Sequence, residues 1–226
     1  MAIQIGAKRS STNANDAFLG EDPDDLLIKL DRSDCKDNLV NFIKAAWHIV
    51  EPGADYVHGW HIDFIAEHLM AIVYGETLED GSPYNRLMIA VPPGSMKSLM
   101  VNVFLPAFEW GPMNRPHMRY ICVSHSQELA IRDGLKMRRL VESNFYKERW
   151  PHVILQKDQN QKQKFENTAM GFRQCCAINS ITGARADRII CDDLLSVSDA
   201  ASQQIKDTTN QQFLDRKSTR LNSSHT

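Results

Sequence analysis

A lysine and a serine, Lys97 and Ser98, stand where a Pro-Pro-Gly turn meets an apolar run, 99–108, that is predicted to be helical. Another apolar segment, 87–91, precedes the turn and is predicted to be a strand. In this layout the backbone N–H groups of the turn and the start of the helix face one point, which favours a bound phosphate. The lysine would supply a positive charge, and the serine hydroxyl would reach Mg²⁺. The segment therefore predicts a phosphate-binding loop.

Two neighbouring carboxylates, Asp192 and Asp193, follow a further apolar segment, 188–191, that is also predicted to be a strand. A carboxylate at the end of a strand can hold Mg²⁺ beside bound phosphates. The next carboxylate can orient or deprotonate the attacking water. Together, the loop and the acidic pair predict hydrolysis of a nucleotide, with ATP and Mg²⁺ as the ligands.

Each half of this prediction has a plainer interpretation. A Pro-Pro-Gly-Ser sequence is also typical of a simple turn before a helix, and an Asp-Asp pair after a strand often forms only a turn or a helix cap. The general phosphate-loop pattern has glycine at two positions that are Val91 and Met96 here. Because both halves occur in order, each beside an apolar segment, the nucleotide interpretation is favoured.

The order of these segments resembles that of the large subunit of tailed-bacteriophage terminases, the ATP-driven motors that package DNA into proheads. The resemblance covers roughly residues 55–214. The segments that carry it are 58–62, 65–69, 91–98, 123–130, 165–167, 182–183, 186–193 and 199–202. The family commonly has P-P-x-x-G-K-S in the loop. This chain departs from that pattern at Met96, has no arginine in the loop, and has Leu194 where a proline commonly follows the acidic pair.

The resemblance implies a role for each residue of the loop and of the acidic pair. Lys97 and Asp193 would be catalytic, with Lys97 on the β- and γ-phosphates and Asp193 positioning the attacking water. Ser98 and Asp192 would hold Mg²⁺. The nucleotide-binding residues would be Pro93, Gly94, Ser95, Met96, Lys97 and Ser98.

The resemblance also implies partners. They are double-stranded DNA, a portal protein and a terminase small subunit, with the chain in a homo-oligomeric ring in the host bacterial cytoplasm. The nuclease domain of the family has no counterpart in residues 1–226, so DNA cleavage is not expected of this chain. Two alternatives remain open: a helicase-like ATPase, and an assembly module in which Met96 has abolished hydrolysis.

Apolar spacing predicts helices that begin after Asp22, cover 39–47 and 62–73, and continue over 129–141. Besides 87–91 and 188–191, it predicts strands at 119–123 and 171–178. Short apolar strands alternating with helices predict an α/β fold class with a doubly wound, largely parallel sheet of the P-loop NTPase type.

The chain is expected to have three parts. Residues 1–25 are predicted to be a flexible N-terminal arm, and 26–214 an ATPase domain that is incomplete at its C-terminal end. Residues 215–226 resemble a translated sequencing adapter and are interpreted as an artefact. A basic, serine-rich disordered tail is the alternative interpretation of that segment.

Composition narrows the function further. A net charge of −2 is not that of a protein that binds nucleic acid through its bulk charge. Four cationic residues share one predicted helix, where a solvated face is a commoner role than a DNA contact. They are Arg132, Lys136, Arg138 and Arg139. No apolar run reaches the ~20 residues of a transmembrane helix, so no membrane is expected. The five cysteines lack C-x-x-C spacing and are predicted to be reduced thiols.

Overall fold

The structure is a computed structural model that describes residues 22–177, 185–195, 199 and 202–211. Residues 1–21 of the predicted arm lie outside the described residues. So do 178–184, which include one of the segments that carry the terminase resemblance, and the whole of 215–226. The fold is therefore that of the predicted ATPase segment.

Three helices form the N-terminal part: α1 (Pro23–Cys35), α2 (Leu39–Val50) and α3 (Trp60–Tyr74). The Asp22 carboxylate caps α1 by accepting a hydrogen bond of 3.1 Å from the backbone N–H of Asp24. The Asn38 side chain caps α2 in the same way. Gly75 ends α3 with a φ of 71°, a conformation that glycine adopts without strain. These bounds confirm the first three predicted helices.

A continuous helical rod follows the predicted phosphate loop. It consists of α4 (Lys97–Leu99), a π-helical turn (Met100–Phe104) and α5 (Leu105–Trp110). Every residue of the π-helical turn and of α5 is buried. The rod packs against α2 and against α6 (Gln127–Glu142). It therefore runs through the hydrophobic core and carries Lys97 at its first residue.

The sheet has five strands in the order β2-β3-β4-β1-β5. They are β1 (Tyr120–Ser124), β2 (Leu155–Asn160), β3 (Lys164–Asn167), β4 (Phe172–Ala177) and β5 (Arg188–Cys191). A short helix, α7 (Asn144–Arg149), lies between α6 and β2 in the chain, and residues 203–211 are helical. β1 is parallel to both β4 and β5. β3 is antiparallel to both β2 and β4.

The predicted doubly wound, largely parallel sheet is therefore wrong, because two of the strand pairings are antiparallel. The loop between β2 and β3 is too short for a crossover connection, so these strands can pair only as an antiparallel hairpin. The predicted strand at 87–91 is also wrong, since these residues belong to no strand of the described sheet. Leu87, Ile89 and Val91 pack against the core, whereas Met88 is 92% exposed. The segment therefore lies on the surface with alternate side chains against the core, and it is not a central strand.

The remaining sequence predictions agree more closely with the fold. The predicted strands at 119–123, 171–178 and 188–191 correspond to β1, β4 and β5. None of the five cysteines forms a disulfide bond; Cys191 is exposed and the other four are buried. Within the described ranges, none of the helices is both long and apolar enough to cross a membrane.

Candidate functional site

The loop before the rod turns through two residues with positive φ. Gly94 has a φ of 83°, and Met96 has φ 62° and ψ 2°. The Ser95 hydroxyl donates to the carbonyl of Pro92 at 2.7 Å, which closes the turn. The backbone N–H of Met100 then donates to the carbonyl of Met96 at 2.9 Å, the first bond of the rod. The loop therefore delivers Lys97 directly onto the start of the rod.

Lys97 contacts both predicted carboxylates. Its Nζ lies 2.9 Å from Oδ1 of Asp192 and 3.1 Å from Oδ1 of Asp193, which is 96 positions away in the sequence. Burial alone would lower the pKa of Lys97, but the hydrogen bonds and charges of the two carboxylates outweigh it and raise that pKa above its ordinary 10.5. The ammonium is thus positively charged at neutral pH and neutralises part of the acidic pair.

The two carboxylates differ in exposure. The side chain of Asp192 is 12% exposed, and that of Asp193 is 63% exposed. The backbone N–H of Asp192 donates to the carbonyl of Val123 at 2.9 Å, so the pair continues the line of β5 beside β1. One carboxylate is therefore sheltered beside the rod, and the other faces solvent.

His125 holds Asp193 from the end of β1. Its backbone N–H and its Nδ1 lie 3.0 and 2.7 Å from the carbonyl oxygen of Asp193. Because a carbonyl oxygen can only accept, Nδ1 carries the proton in this contact. Asp193 has a φ of 46°, which is unusual for a residue with a side chain. Sequence reasoning missed His125 in this role, and nothing in the local sequence signals it.

Asn102 contacts the other carboxylate. Its Nδ2 donates to Oδ2 of Asp192 at 3.1 Å, from the middle of the π-helical turn. Asn102 is 4% exposed. Asn102 is not among the site residues predicted from the sequence. Its signal was present, since Asn102 is the one amide side chain in the apolar run 99–108.

A small cleft joins these groups. Its lining includes Ser98, Asn102, Ser124, Arg132, Asp133, Asp192 and Asp193. Its volume is about 30 Å³, enough for about two water molecules. The ammonium of Lys97 is already engaged by Asp192 and Asp193, so a phosphate that binds Lys97 has to compete with these two carboxylates. Of the six predicted nucleotide-binding residues only Ser98 lines the cleft; Pro93, Gly94, Ser95, Met96 and Lys97 do not.

The residues present fit one mode of Mg²⁺ binding. Across the described part of the chain, no group of three or more His, Cys, Asp or Glu side chains comes together as a metal ligand set. Mg²⁺ is often held by one or two carboxylates together with water and the phosphates of a substrate. Asp192 and Ser98 line one cleft and suit that mode.

The predicted cationic face of α6 is largely engaged in ion pairs. Arg132 Nε lies 2.9 Å from Oδ1 of Asp133, and Arg138 pairs with Glu142 one turn along the helix. Lys136 pairs with Glu51 of the segment after α2. These contacts favour a solvated, ion-paired helix surface over a contact for DNA.

A buried charged cluster anchors the strand that leads to the acidic pair. Glu109 of α5 is fully buried and receives two hydrogen bonds from Arg188, Nε to Oε2 at 2.6 Å and Nη2 to Oε1 at 2.8 Å. Tyr120 of β1 also donates to Glu109. The bidentate pair of Arg188 and Glu109 ties the start of β5 to the end of the rod. The end of the rod that begins at Lys97 is therefore fixed to the strand that leads to the acidic pair.

No protein-family model and no curated protein matches the sequence. The resemblance to terminases thus rests on the order of the segments, and the chemistry rests on the geometry around Lys97, Asp192 and Asp193.

Proposed function

We propose that this chain is the ATP-hydrolysing motor domain of a phage terminase large subunit. The observation that carries the proposal is the contact of Lys97 Nζ with both Asp192 and Asp193, at 2.9 and 3.1 Å. A lysine that follows a tight turn, together with two carboxylates at the end of a strand, matches groups that contact the phosphates, hold Mg²⁺ and position water in phosphoryl transfer.

The proposed reaction is attack of water on the γ-phosphorus of ATP, with cleavage of the bond to the β–γ bridging oxygen. Lys97 leaves the carboxylates, contacts the β- and γ-phosphates and stabilises their negative charge. The exposed Asp193 accepts a hydrogen bond from the attacking water and orients it. Asp192 and the Ser98 hydroxyl would hold Mg²⁺, which would supply positive charge to the phosphate oxygens. His125 supports the step by holding the backbone of Asp193.

The proposed setting follows from the terminase resemblance. Hydrolysis would drive the movement of double-stranded DNA by a homo-oligomeric ring docked on a portal protein, with a terminase small subunit as a second partner. The place of action would be the host bacterial cytoplasm.

A non-hydrolysing assembly module is the second candidate. Two observations favour it: Met96 occupies a left-handed position in the loop, and the cleft beside the Lys97 ion pairs has a volume of only about 30 Å³. Such a module would bind nucleotide without turnover and would contact its partners in one fixed conformation.

Phosphate release from ATP by the 226-residue chain, with and without Mg²⁺, tests the proposal. We expect Mg²⁺-dependent turnover that falls about 100-fold or more in Lys97→Ala, because the charge on the phosphates is lost. In Asp193→Asn we expect a similar loss of turnover with nucleotide binding retained. Lys147→Ala, at an exposed lysine of α7, is the matched control and keeps full turnover.

The outcomes separate the two candidates. Tight nucleotide binding without any phosphate release supports the assembly module. Absence of both binding and release overturns both candidates. Turnover that survives in Lys97→Ala contradicts the assignment of the site.

A further inference from the structure

We infer that Asn102 is a positioning residue for the proposed reaction, because its amide holds one oxygen of Asp192 and leaves the other for the metal. This inference rests on the proposed function. Asn102 Nδ2 donates to Oδ2 of Asp192 at 3.1 Å, and Lys97 contacts Oδ1 of the same carboxylate at 2.9 Å. The two oxygens of Asp192 therefore already have separate partners.

The position of Asn102 in the rod supports a specific role. It is the central residue of the π-helical turn Met100–Phe104, and its four neighbours in that turn are apolar and buried. A buried amide needs a hydrogen-bonding partner, and this one spans 90 positions of the sequence to reach Asp192. Single π-helical turns within α-helices are frequent at functional sites, since they redirect side chains.

The turn that carries Asn102 is held from the sheet. Arg173 of β4 is fully buried, and its Nε donates to the backbone carbonyl of Asn102 at 3.1 Å. Its Nη1 donates to the carbonyl of Ala130 at 3.4 Å, which ties α6 to the same point. Gly134 of α6 leaves room for this guanidinium, because a Cβ there would collide with Arg173 Nη1. Asn102 is thus fixed through its backbone as well as through its side chain.

This arrangement has a consequence for the reaction. If Lys97 moves to the phosphates, Oδ1 of Asp192 loses its present partner and would be available to Mg²⁺. Oδ2 keeps its bond from Asn102, so the carboxylate does not rotate. Because the amide is neutral, it orients Asp192 without cancelling the charge that attracts the metal. Residues that orient metal ligands typically change metal affinity 10–100-fold when they are replaced.

The test compares Asn102→Leu with the parent chain. Leucine removes the amide donor and keeps the backbone carbonyl that Arg173 contacts. We expect the Mg²⁺ concentration for half-maximal ATP hydrolysis to rise about tenfold. We also expect weaker binding of Mn²⁺ in the presence of ADP, measured from the electron paramagnetic resonance of free Mn²⁺. Nucleotide binding in the presence of a metal chelator stays unchanged.

Two further variants keep the test decisive. Asn102→Ser makes a smaller side chain and repeats the measurement if the leucine variant does not fold. Val101→Ala lies in the same turn and is the matched control, because it loosens packing without touching Asp192 and leaves the Mg²⁺ requirement unchanged. An unchanged Mg²⁺ requirement and unchanged Mn²⁺ binding in both Asn102 variants would overturn the inference while leaving the proposed function standing. A parent chain that neither hydrolyses ATP nor binds Mn²⁺ with ADP fails the proposed function, and the inference with it.

Discussion

Met96 concentrates the backbone strain of the loop in a single residue. Its φ of 62° places it in the left-handed region, which costs a residue with a side chain roughly 1–2 kcal/mol. The Met96 side chain packs against the hydrophobic core, and this contact offsets part of the cost. Met96 thus stands at a position where the phosphate-loop pattern has glycine and where glycine would adopt the observed backbone without strain.

Replacement of Met96 by glycine and by alanine tests this strain, because both variants lose the same core contact. We expect Met96→Gly to be more stable than Met96→Ala by about 1 kcal/mol in urea unfolding, since only glycine relieves the left-handed backbone. The same pair at Met70, a partly buried residue within α3, serves as the control. There the order reverses, and alanine is favoured by about 1 kcal/mol. An advantage of alanine at position 96 would contradict the left-handed assignment.

Among the elements, those with a clear apolar period were predictable and those without it were not. The stripes that begin at Leu39 and at Ile62 predicted α2 and α3, and the apolar run at 188–191 predicted β5. β2 and β3 were missed because 155–167 is rich in Lys, Gln and Asn, which carry no strand signal. The run at 87–91 alternates in exposure like a strand, but no neighbouring strand of the described sheet pairs with it.

The candidate site shows the same division. Lys97 and the acidic pair could be predicted together. Each lies directly after an apolar segment or its turn, and their residue types match those of a known phosphate-binding motif. Asn102 stands out as the one amide in its apolar run, but the partners of Asn102 and His125, which lie 90 and 68 positions away, could not be predicted. A local pattern cannot show such contacts, which arise only when the rod and the sheet edge pack.

The start of β5 is fastened to β1 by a latch, defined here as the contact of Arg119 with Asp187. Arg119 donates from its backbone N–H, from Nε and from Nη2 to the Asp187 carboxylate, at 3.0, 2.9 and 2.9 Å. The hydrogen bonds from the Arg119 side chain are the main reason that the pKa of Asp187 lies below its ordinary 3.8. The latch lies one residue before the first paired residues of β1 and β5, Tyr120 and Arg188.

Protonation of Asp187 at acidic pH should weaken its contact with Arg119. Because the pKa of Asp187 is lower in the folded than in the unfolded chain, its stabilisation is present above pH 3.8 and is lost as the pH falls through the folded value. Both side chains are partly exposed, so we expect Asp187→Asn to lower the free energy of unfolding by about 0.5–1 kcal/mol at neutral pH. The difference between parent and variant should vanish well below pH 3.8.

Urea unfolding of both chains at neutral and at acidic pH measures this difference. Arg119→Met is the matched variant, and its effect should disappear over the same acidic range. A difference between parent and Asp187→Asn that stays constant on acidification would show that the latch does not depend on the carboxylate charge.

At the scale of the whole molecule, the rod, α2 and α6 form a helical layer, and this layer meets the sheet at the candidate site. Most of the core lies where the rod, α2 and α6 pack together, and a smaller cluster that includes Ile121, Val123 and Cys176 covers another part of the sheet. Lys97 belongs to the helical layer, whereas Asp192 and Asp193 belong to the sheet edge. The site can therefore form only when both parts are folded and in contact.

Phe42 of α2 lies at the centre of an aromatic cluster within the helical layer. Its fully buried ring lies 5.4–6.4 Å from four other aromatic rings, measured between centroids. These rings belong to Phe104, Phe108, Tyr146 and Trp150. Phe104 and Phe108 lie on the rod that begins at Lys97, so the ring of Phe42 supports the element that carries the proposed catalytic lysine.

Removal of the Phe42 ring should therefore lower the stability of the helical layer and the sheet together, in a single cooperative unfolding transition. We expect Phe42→Ala to lower the free energy of unfolding by about 3–5 kcal/mol, the usual cost of a large core cavity. That is a large part of the 5–15 kcal/mol that stabilises a typical domain. Phe64→Ala is the matched control and should cost less than about 1 kcal/mol, since Phe64 is 55% exposed on α3. Tryptophan fluorescence and far-ultraviolet circular dichroism should follow one coincident transition in each variant. Two separate transitions in Phe42→Ala would instead mean that the sheet stays folded without the helical layer, and Lys97 would then lose its contact with the acidic pair before the chain unfolds.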